Sequence, residues 1–596
     1  MNTQAPVDRF VAALTDVSAL APAGAGPAPD PAAYGRDLWE RSVLFLDTLR
    51  QRADNMIAHE RAGMPPLLDF RYETLLDARQ FDRPANYALV RITEVDGNCW
   101  DDCVDPAKPP VIVVDPRAGH GPGIGGFKRD SEVGMAMAEG HPVYFVIFFP
   151  EPAPDQTLED VLFALRRFVE DVSARHDGAA PVFYGNCQAG WAVTLLAAHC
   201  EGLAGPVILN GSPLSYWAGE EGVNPMRITG GLLGGGWLAH LIADLGDGRF
   251  DGAWLAQNFE NLKPEKAIWE KYANLLANVD TERDRFLDFE RWWNGFYSLS
   301  RNEILSITQN LFIGNRLENG EMPIGDHCIA DLRKIRNPMI VFASYGDNIT
   351  PPAQALGWIP AVYRDTADLK AAGQRIVYLT NAHIGHLGIF VSASVARLEH
   401  RAILESLDKI ENLKPGLYEM KIDSPTGNPD RRALQYKVSF KPRDVSDLAQ
   451  DVPEQAFDSV RRMSERNEAL YSAFVSPWIR LMTTPASAEM LKWMHPMRSS
   501  RLMFSESFNP WMRFVRQTAD IISENRNPLD RDDPMVQRER AAIDAVGNAI
   551  ERARIARDAS YERSFRTLYG DDDSPHQNQH DSSRPEPEET EHAVGH

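Results

Sequence analysis

Cysteine is scarce: the 596 residues hold five, Cys99, Cys103, Cys187, Cys200 and Cys328. So sparse and odd a set excludes a disulfide framework and fits a reducing compartment. No second ligand pair follows Cys99 and Cys103 at zinc-site spacing, so no metal site is expected and the two read as structural. Positive charge is also in deficit, with 62 Lys plus Arg against 84 Asp plus Glu and a formal net charge of −22. That balance excludes a general nucleic-acid binder. Long hydrophobic runs are missing too. The most apolar stretch near a helix, GLLGGGWLAHLIA at 231–243, is too short and too rich in glycine to cross a bilayer. The opening MNTQAPVDRF lacks a basic region leading into an apolar core, so no signal peptide is read and a soluble, cytoplasmic protein is expected.

What is present is a globular composition, 43% hydrophobic, in a chain long enough for several domains. Residues 1–34, rich in Ala and Pro, read as a mobile arm. Residues 35–85 read as a helical segment, with Leu38, Val43, Leu44, Leu46 and Leu49 at near-helical spacing among charges. From residue 86 to 412 the apolar runs NYALVRI, VIVVD, VYFVIFF, VFYGN, VILNG, MIVFAS and RIVYLT alternate with helical stretches. Continuous apolar strands separated by helices imply a mostly parallel sheet, an α/β class, with sites at the carboxyl ends of the strands. The alternation breaks at 213–337, a helical, tryptophan-rich interval that reads as a cap inserted between two strands. Trp217, Trp292 and Trp293 are its candidates for a wall facing substrate, with packing inside the cap as the plainer role. Residues 413–570 read as a β-hairpin followed by a helical accessory domain. The tail 571–596, with eight acids against one arginine, reads as disordered.

The stretch PVFYGNCQAGWAV at 181–193 carries the chemistry. An apolar run ends in small residues around a thiol and then turns amphipathic, as a nucleophile elbow requires: strand, strained bend, helix. Small residues are needed two before and two after the nucleophile, and Gly185 and Ala189 stand there around Cys187. A cysteine nucleophile needs a base, and the base an orienting acid. In the order nucleophile, acid, histidine, Asp347 follows MIVFAS, and His383 and His386 follow RIVYLT. His386, beside Gly385 and Gly388, is the favoured base and His383 the alternative. The oxyanion donors are expected from the backbone N–H of Gln188 and from the loop after VIVVD, at Ala118, Gly119 or His120. That loop's glycines resemble a dinucleotide fingerprint, but no helix-forming segment directly follows and no ribose-binding acid is evident, so no nucleotide cofactor is expected. Lys128 or Arg129 there are candidates to contact an anionic acyl carrier such as coenzyme A, as substrate.

The segments GNCQAGWA, SYGDNITPP and GHLGIFVS resemble the polyhydroxyalkanoate synthase and intracellular depolymerase group of α/β hydrolases. DPRAGHGPGIGGFK, LNGSPLSYWAG, NFENLKPEKAIWEKY, FERWWNGFY, GDNITPPAQAL and PGLYEM resemble, from about Tyr34 to Gly570, an uncharacterised bacterial family labelled poly(3-hydroxyalkanoate) synthetase. The resemblance implies an α/β-hydrolase fold and a Cys187–His386–Asp347 triad, with Cys187 accepting an acyl group. It implies an acyltransferase acting on 3-hydroxyacyl thioesters or polyesters. Against the synthase pattern, Ala189 stands where glycine is usual and an Asn-Pro element after the histidine is absent. GHLGIF and the Gly119–His120 pair resemble depolymerases, while FENLKPEKAIW resembles the synthase cap. The alternatives are therefore a polyester or acyl-thioester hydrolase, or a non-catalytic scaffold that keeps the fold and associates with polymer granules or with copies of itself.

Overall fold

The computed structural model describes residues 30–95, 98–99, 104–199, 203–325, 328–426, 435–450 and 452–570. The expected arm before residue 30, the tail 571–596, Cys103, Cys200 and most of the loop inside the expected hairpin lie outside the described residues.

One large sheet organises the chain. Its strands are β1 (Arg71–Asp77), β2 (Tyr87–Val95), β3 (Val111–Val114), β4 (Val143–Phe148), β5 (Val182–Asn186), β6 (Val207–Asn210), β7 (Met339–Ser344), β8 (Arg375–Asn381), β9 (Gly416–Thr426) and β10 (Gln435–Arg443). They lie in the spatial order β1, β2, β4, β3, β5, β6, β7, β8, β9, β10, and the two-residue strand Asn98–Cys99 pairs with β2. Pairing is parallel from β4 to β9 and antiparallel at both margins. An antiparallel β1–β2 start, the β4–β3 crossover and a parallel run onward to β8 are the arrangement of the α/β-hydrolase fold, and this is the fold of the chain.

The sequence accounts for the sheet's central strands. Every residue of β3 to β7 is buried, because helices cover both faces and each strand must be apolar on both. Ile112 and Val114 of β3 join one core layer while Val111 and Val113 join the other, the alternation that pleating imposes. Helices α1 (Pro31–Arg61), α2 (Glu132–Ala138), α3 (Leu158–Arg175) and α4 (Ala189–His199) precede the cap. Helix α1 starts where Asp30 accepts from the N–H groups of Ala32 and Ala33, with Pro31 at its first position.

Two expectations need correction. Residues 35–85 are not all helical: α1 ends at Arg61 and β1 follows, a marginal strand whose exposed charged positions hid it among surface residues. The expected hairpin does not belong to a separate unit. β9 pairs in parallel with β8, Arg375 opposite Gly416 and Tyr378 opposite Glu419, so the hairpin extends the main sheet.

The interval 213–337 includes α5 (Ala253–Leu262) and α6 (Val279–Trp293). Helix α6 is held to α1 by a buried ionic cluster. Glu290 lies 3.0 Å from Lys271 Nζ and 3.1 Å from Arg52 Nη1, and Arg52 also donates to Tyr272 Oη at 2.6 Å. Burial alone would raise the Glu290 carboxyl, but Lys271 and Arg52 beside it hold it below the usual range. Glu290→Ala leaves Arg52 buried without a carboxylate partner, while Lys271 keeps Glu260 at 3.1 Å, so it is expected to destabilise the protein by about 3–5 kcal/mol. The urea-unfolding midpoint checks this; an unchanged midpoint would show that the cluster carries no stability.

Helix α7 (His386–Val391) follows β8, and among the described residues six α-helices follow the hairpin: α8 (Glu454–Leu470), α9 (Ser476–Met482), α10 (Pro485–Met494), α11 (Pro496–Phe504), α12 (Trp511–Asn525) and α13 (Pro534–Tyr569). Pro485, Pro496 and Pro534 each open a helix, where the missing N–H costs nothing. No helix among the described residues is long and apolar enough to cross a membrane.

Candidate active site

The bend after β5 is strained as an elbow must be. Cys187 adopts φ +49°, a left-handed conformation that non-glycine residues seldom hold. Its N–H donates to Asn210 O at 2.9 Å and its carbonyl accepts from Gly190 N–H at 3.0 Å, so neighbouring strand and following helix both pin it. The small residues are required. A Cβ on Gly190 would lie 2.2 Å from the Ser212 side chain, and one on Gly185 2.5 Å from Val193.

Parallel register delivers the partners. β6 and β8 flank β7, so the loops leaving β7 and β8 emerge side by side next to the elbow. His386 Nε2 lies 3.2 Å from Cys187 Sγ and His386 Nδ1 lies 2.6 Å from Asp347 Oδ2. Asp347 is itself fixed, its Oδ1 accepting from the N–H groups of Ile349 at 2.8 Å and Thr350 at 2.9 Å. The two loops touch at Gly346, where a Cβ would sit 2.3 Å from the His383 carbonyl oxygen. All three side chains are buried. Burial alone would depress the His386 imidazole, but Asp347 and then Cys187 outweigh it and hold the ring well above its ordinary value. The arrangement suits proton transfer from thiol to an oriented imidazole. His383 is exposed, and its N–H donates to Asn381 Oδ1 at 2.9 Å. Of the two histidines, only His386 reaches the sulfur.

The sulfur opens into a cavity of about 410 Å³ whose lining includes Ala118, His120, Phe259, Trp292, Trp293 and Phe390. His120 stacks on Trp293 with ring centroids 4.4 Å apart, and burial pushes its imidazole down to about 4, so it is neutral. Trp292 Nε1 donates to Gly121 O at 3.1 Å and Trp293 Nε1 to Glu260 at 2.9 Å, which locks both indoles between the glycine loop and α5. Among the described residues no protein acceptor engages the N–H of Gln188 or of Ala118. Gly119, the third candidate in that loop, is packed against the cap. It lies outside the cavity lining, its carbonyl accepts from Tyr297 N–H at 3.0 Å, and a Cβ there would meet Gly252 O at 2.4 Å.

Two further expectations fail on position. Trp217 is buried elsewhere, donating through Nε1 to Ile313 O at 2.9 Å and stacking on Phe457 of α8 at 5.4 Å. It joins the cap to the C-terminal helices because aromatic density says nothing about which surface a ring will meet. Lys128 and Arg129 are exposed and do not line the cavity; its cations are Lys263, Lys266 and Lys271 on the cap. Burial, then Arg554, holds Lys263 below its ordinary value. Lys266 pairs with Glu270, and Lys271 with Glu260 and Glu290. Among the described residues no group of three or more His, Cys, Asp or Glu side chains could hold a metal ion.

Sequence reasoning also missed the polar layer beneath the elbow. Asn186, the residue before the nucleophile, donates to Glu132 at 3.0 Å and to Asp115 at 3.3 Å, and Asn210 donates to Asn186 Oδ1 at 3.1 Å. Asp115 accepts from the N–H groups of Gly123 at 2.7 Å and Gly125 at 3.0 Å, shaping the glycine loop. Burial pushes Asp115 up to about 6, and burial with Asp115 nearby raises Glu132 well above its usual value. The layer thus ties the carboxyl ends of β3, β5 and β6 together through two buried carboxyls. The available signal was that Asp115 directly follows β3 and that β5 and β6 end in Asn.

A family model described as "Protein of unknown function (DUF3141)" matches residues 37–594. The chain belongs to the DUF3141 family. This DUF3141 protein is 46% identical over 552 residues to the "Uncharacterized protein in ackA 5'region" of Rhizobium meliloti, covering 91% of this chain and 74% of that relative. Among solved structures it is similar to carboxylesterases of Nitrososphaera gargenis (11% identity, 57% of this chain, 98% of that one, TM-score 0.33). It is likewise similar to the thioesterase domain of the curacin biosynthetic pathway (13%, 57% and 99%, TM-score 0.31). A third is Est1E of Butyrivibrio proteoclasticus (11%, 57% and 99%, TM-score 0.31).

Proposed function

We propose that this DUF3141 protein is a cysteine-dependent acyltransferase of the poly(3-hydroxyalkanoate) synthase type, acting on 3-hydroxyacyl thioesters or their polyesters. The observation that carries the reading is the unbroken chain from sulfur to imidazole to carboxylate, at 3.2 and 2.6 Å, at the edge of an aromatic cavity. In the reaction His386 Nε2 accepts the thiol proton as Cys187 Sγ bonds to the acyl carbonyl carbon. The developing oxyanion is received by the N–H groups of Gln188 and Ala118. Collapse expels the carrier thiolate, which takes the proton from His386, and leaves an acyl-cysteine. His386 then deprotonates the hydroxyl of the next acyl unit, whose attack releases Cys187 and lengthens the ester by one unit. The cavity's apolar wall suits the acyl chain, and Lys263 and Lys266 suit an anionic carrier such as coenzyme A. No cofactor is required.

Water in place of the hydroxyl gives hydrolysis, the second reading, which the depolymerase-like Gly119–His120 and GHLGIF segments favour. Purified protein given 3-hydroxybutyryl-coenzyme A separates the two. Transfer produces free thiol with growing turbidity, and hydrolysis produces free thiol with soluble monomer. Absence of both free thiol and any acylated protein by mass spectrometry would remove the proposal and favour a scaffold.

A further inference from the structure

The C-terminal helices leave an apolar surface uncovered. Fourteen of the twenty-four exposed large apolar side chains among the described residues fall in 470–521. They recur at helical spacing. Phe474, Trp478, Leu481 and Met482 form one outward stripe, and Trp511, Phe514 and Ile521 another on α12. Trp478 is 65% exposed and Trp511 75%.

The inner faces of these helices are already committed. Ser476 donates to Asp244 at 2.6 Å, Arg498 pairs with Asp251 at 2.7 Å, and Met512, Ala519 and Ile522 are buried. The outward stripes therefore await nothing from the described fold. Patches of this size on a folded chain mark a docking surface.

Charge selects the occupant. Residues 476–525, the span of α9 to α12, carry six basic side chains against four acidic ones, in a chain whose net charge is −22. Arg498 and Arg501 are buried in ion pairs, but Arg480 and Arg513 are exposed beside the tryptophans, in WIRLM and WMRF, with no ion pair among the described residues. A second copy is disfavoured, because a two-fold contact would bring this patch onto itself and set arginine against arginine. Aromatic residues at helix stripes flanked by arginine are the composition that settles at a lipid headgroup boundary. The acidic remainder is repelled by an anionic surface, which orients approach through this face.

We propose that α9 to α12 dock this protein on an anionic phospholipid bilayer, with Trp478 and Trp511 seated at the headgroup level and Arg480 and Arg513 on lipid phosphates. The test is co-sedimentation of the full-length protein with vesicles of phosphatidylcholine alone or mixed with phosphatidylglycerol. Binding is expected to be about tenfold or more tighter to the anionic vesicles and to weaken in high salt. The pair Arg480→Glu and Arg513→Glu is expected to abolish that preference. Trp511→Asp with Phe514→Asp is expected to abolish binding to both, with unchanged circular dichroism and melting temperature, since these positions are exposed. The proposal is overturned if the protein ignores anionic vesicles or binds both compositions alike. It is equally overturned if light scattering shows a dimer that Trp511→Asp dissolves.

Discussion

Cys187→Ala is expected to eliminate the proposed thioester turnover, lowering kcat/KM by on the order of 10⁴-fold or more. The magnitude follows from the site's construction. His386 and Asp347 are built to move a proton from one sulfur, and without it no covalent acyl intermediate forms. What survives is binding in the cavity and the proposed oxyanion donors, the N–H groups of Gln188 and Ala118, which would act only if some other nucleophile arrived. The substitution removes one buried sulfur from a position already held by hydrogen bonds to Asn210 and Gly190, so the fold is retained. Steady-state release of free thiol from 3-hydroxybutyryl-coenzyme A measures the loss, with intact-protein mass spectrometry for the acyl adduct. A variant retaining a tenth of wild-type turnover would mean that the thiol is not the nucleophile.

Asp347→Asn comes next, with an expected loss of about 10³–10⁴-fold in kcat/KM. Asparagine can keep its oxygen on the N–H groups of Ile349 and Thr350, but it then presents an amide N–H₂ to His386 Nδ1. The ring must accept there, which puts its proton on Nε2, facing the sulfur, where a base is needed. The same change removes the largest influence raising the His386 imidazole, leaving burial to depress it. The sign for activity follows: the acid limb of the kcat/KM profile, where the imidazole must lose its proton before it can accept the thiol's, moves to lower pH. For stability, a histidine raised in the folded state stabilises it fully below its unfolded value near 6.5, and the contribution fades as pH climbs through the raised value. The melting-temperature gap between wild type and Asp347→Asn should therefore be widest on the acid side of 6.5. A profile superimposable on the wild type's would show that Asp347 does not act through the imidazole.

The elbow was legible because its steric demands are local. Gly185 and Gly190 cannot carry side chains where Val193 and Ser212 approach so closely, and that requirement is written within six residues. Strands β3 to β7 were legible because burial on both faces demands uninterrupted apolar runs. β1 was not, since at the margin of the sheet only alternate positions need be apolar and RYETLLD resembles a surface segment. The choice between His383 and His386 depends on where a loop turns, which spacing does not encode. The burial of Asp115, Glu132, Asn186 and Asn210 was equally hidden, because polar residues ending a strand look the same whether they meet solvent or one another. Trp217 and Trp292 are chemically alike, and only the path of the cap sends one to α8 and the other to the sulfur.

The Glu290 cluster bears on how a substrate gets in. Swinging α6 aside as a rigid door would tear Glu290 from Lys271 and Arg52, and a rupture worth about 4 kcal/mol leaves roughly one molecule in a thousand ajar. Admission by that route would throttle turnover, whereas rotation of the long, partly solvated Lys263 and Lys266 arms needs no such rupture.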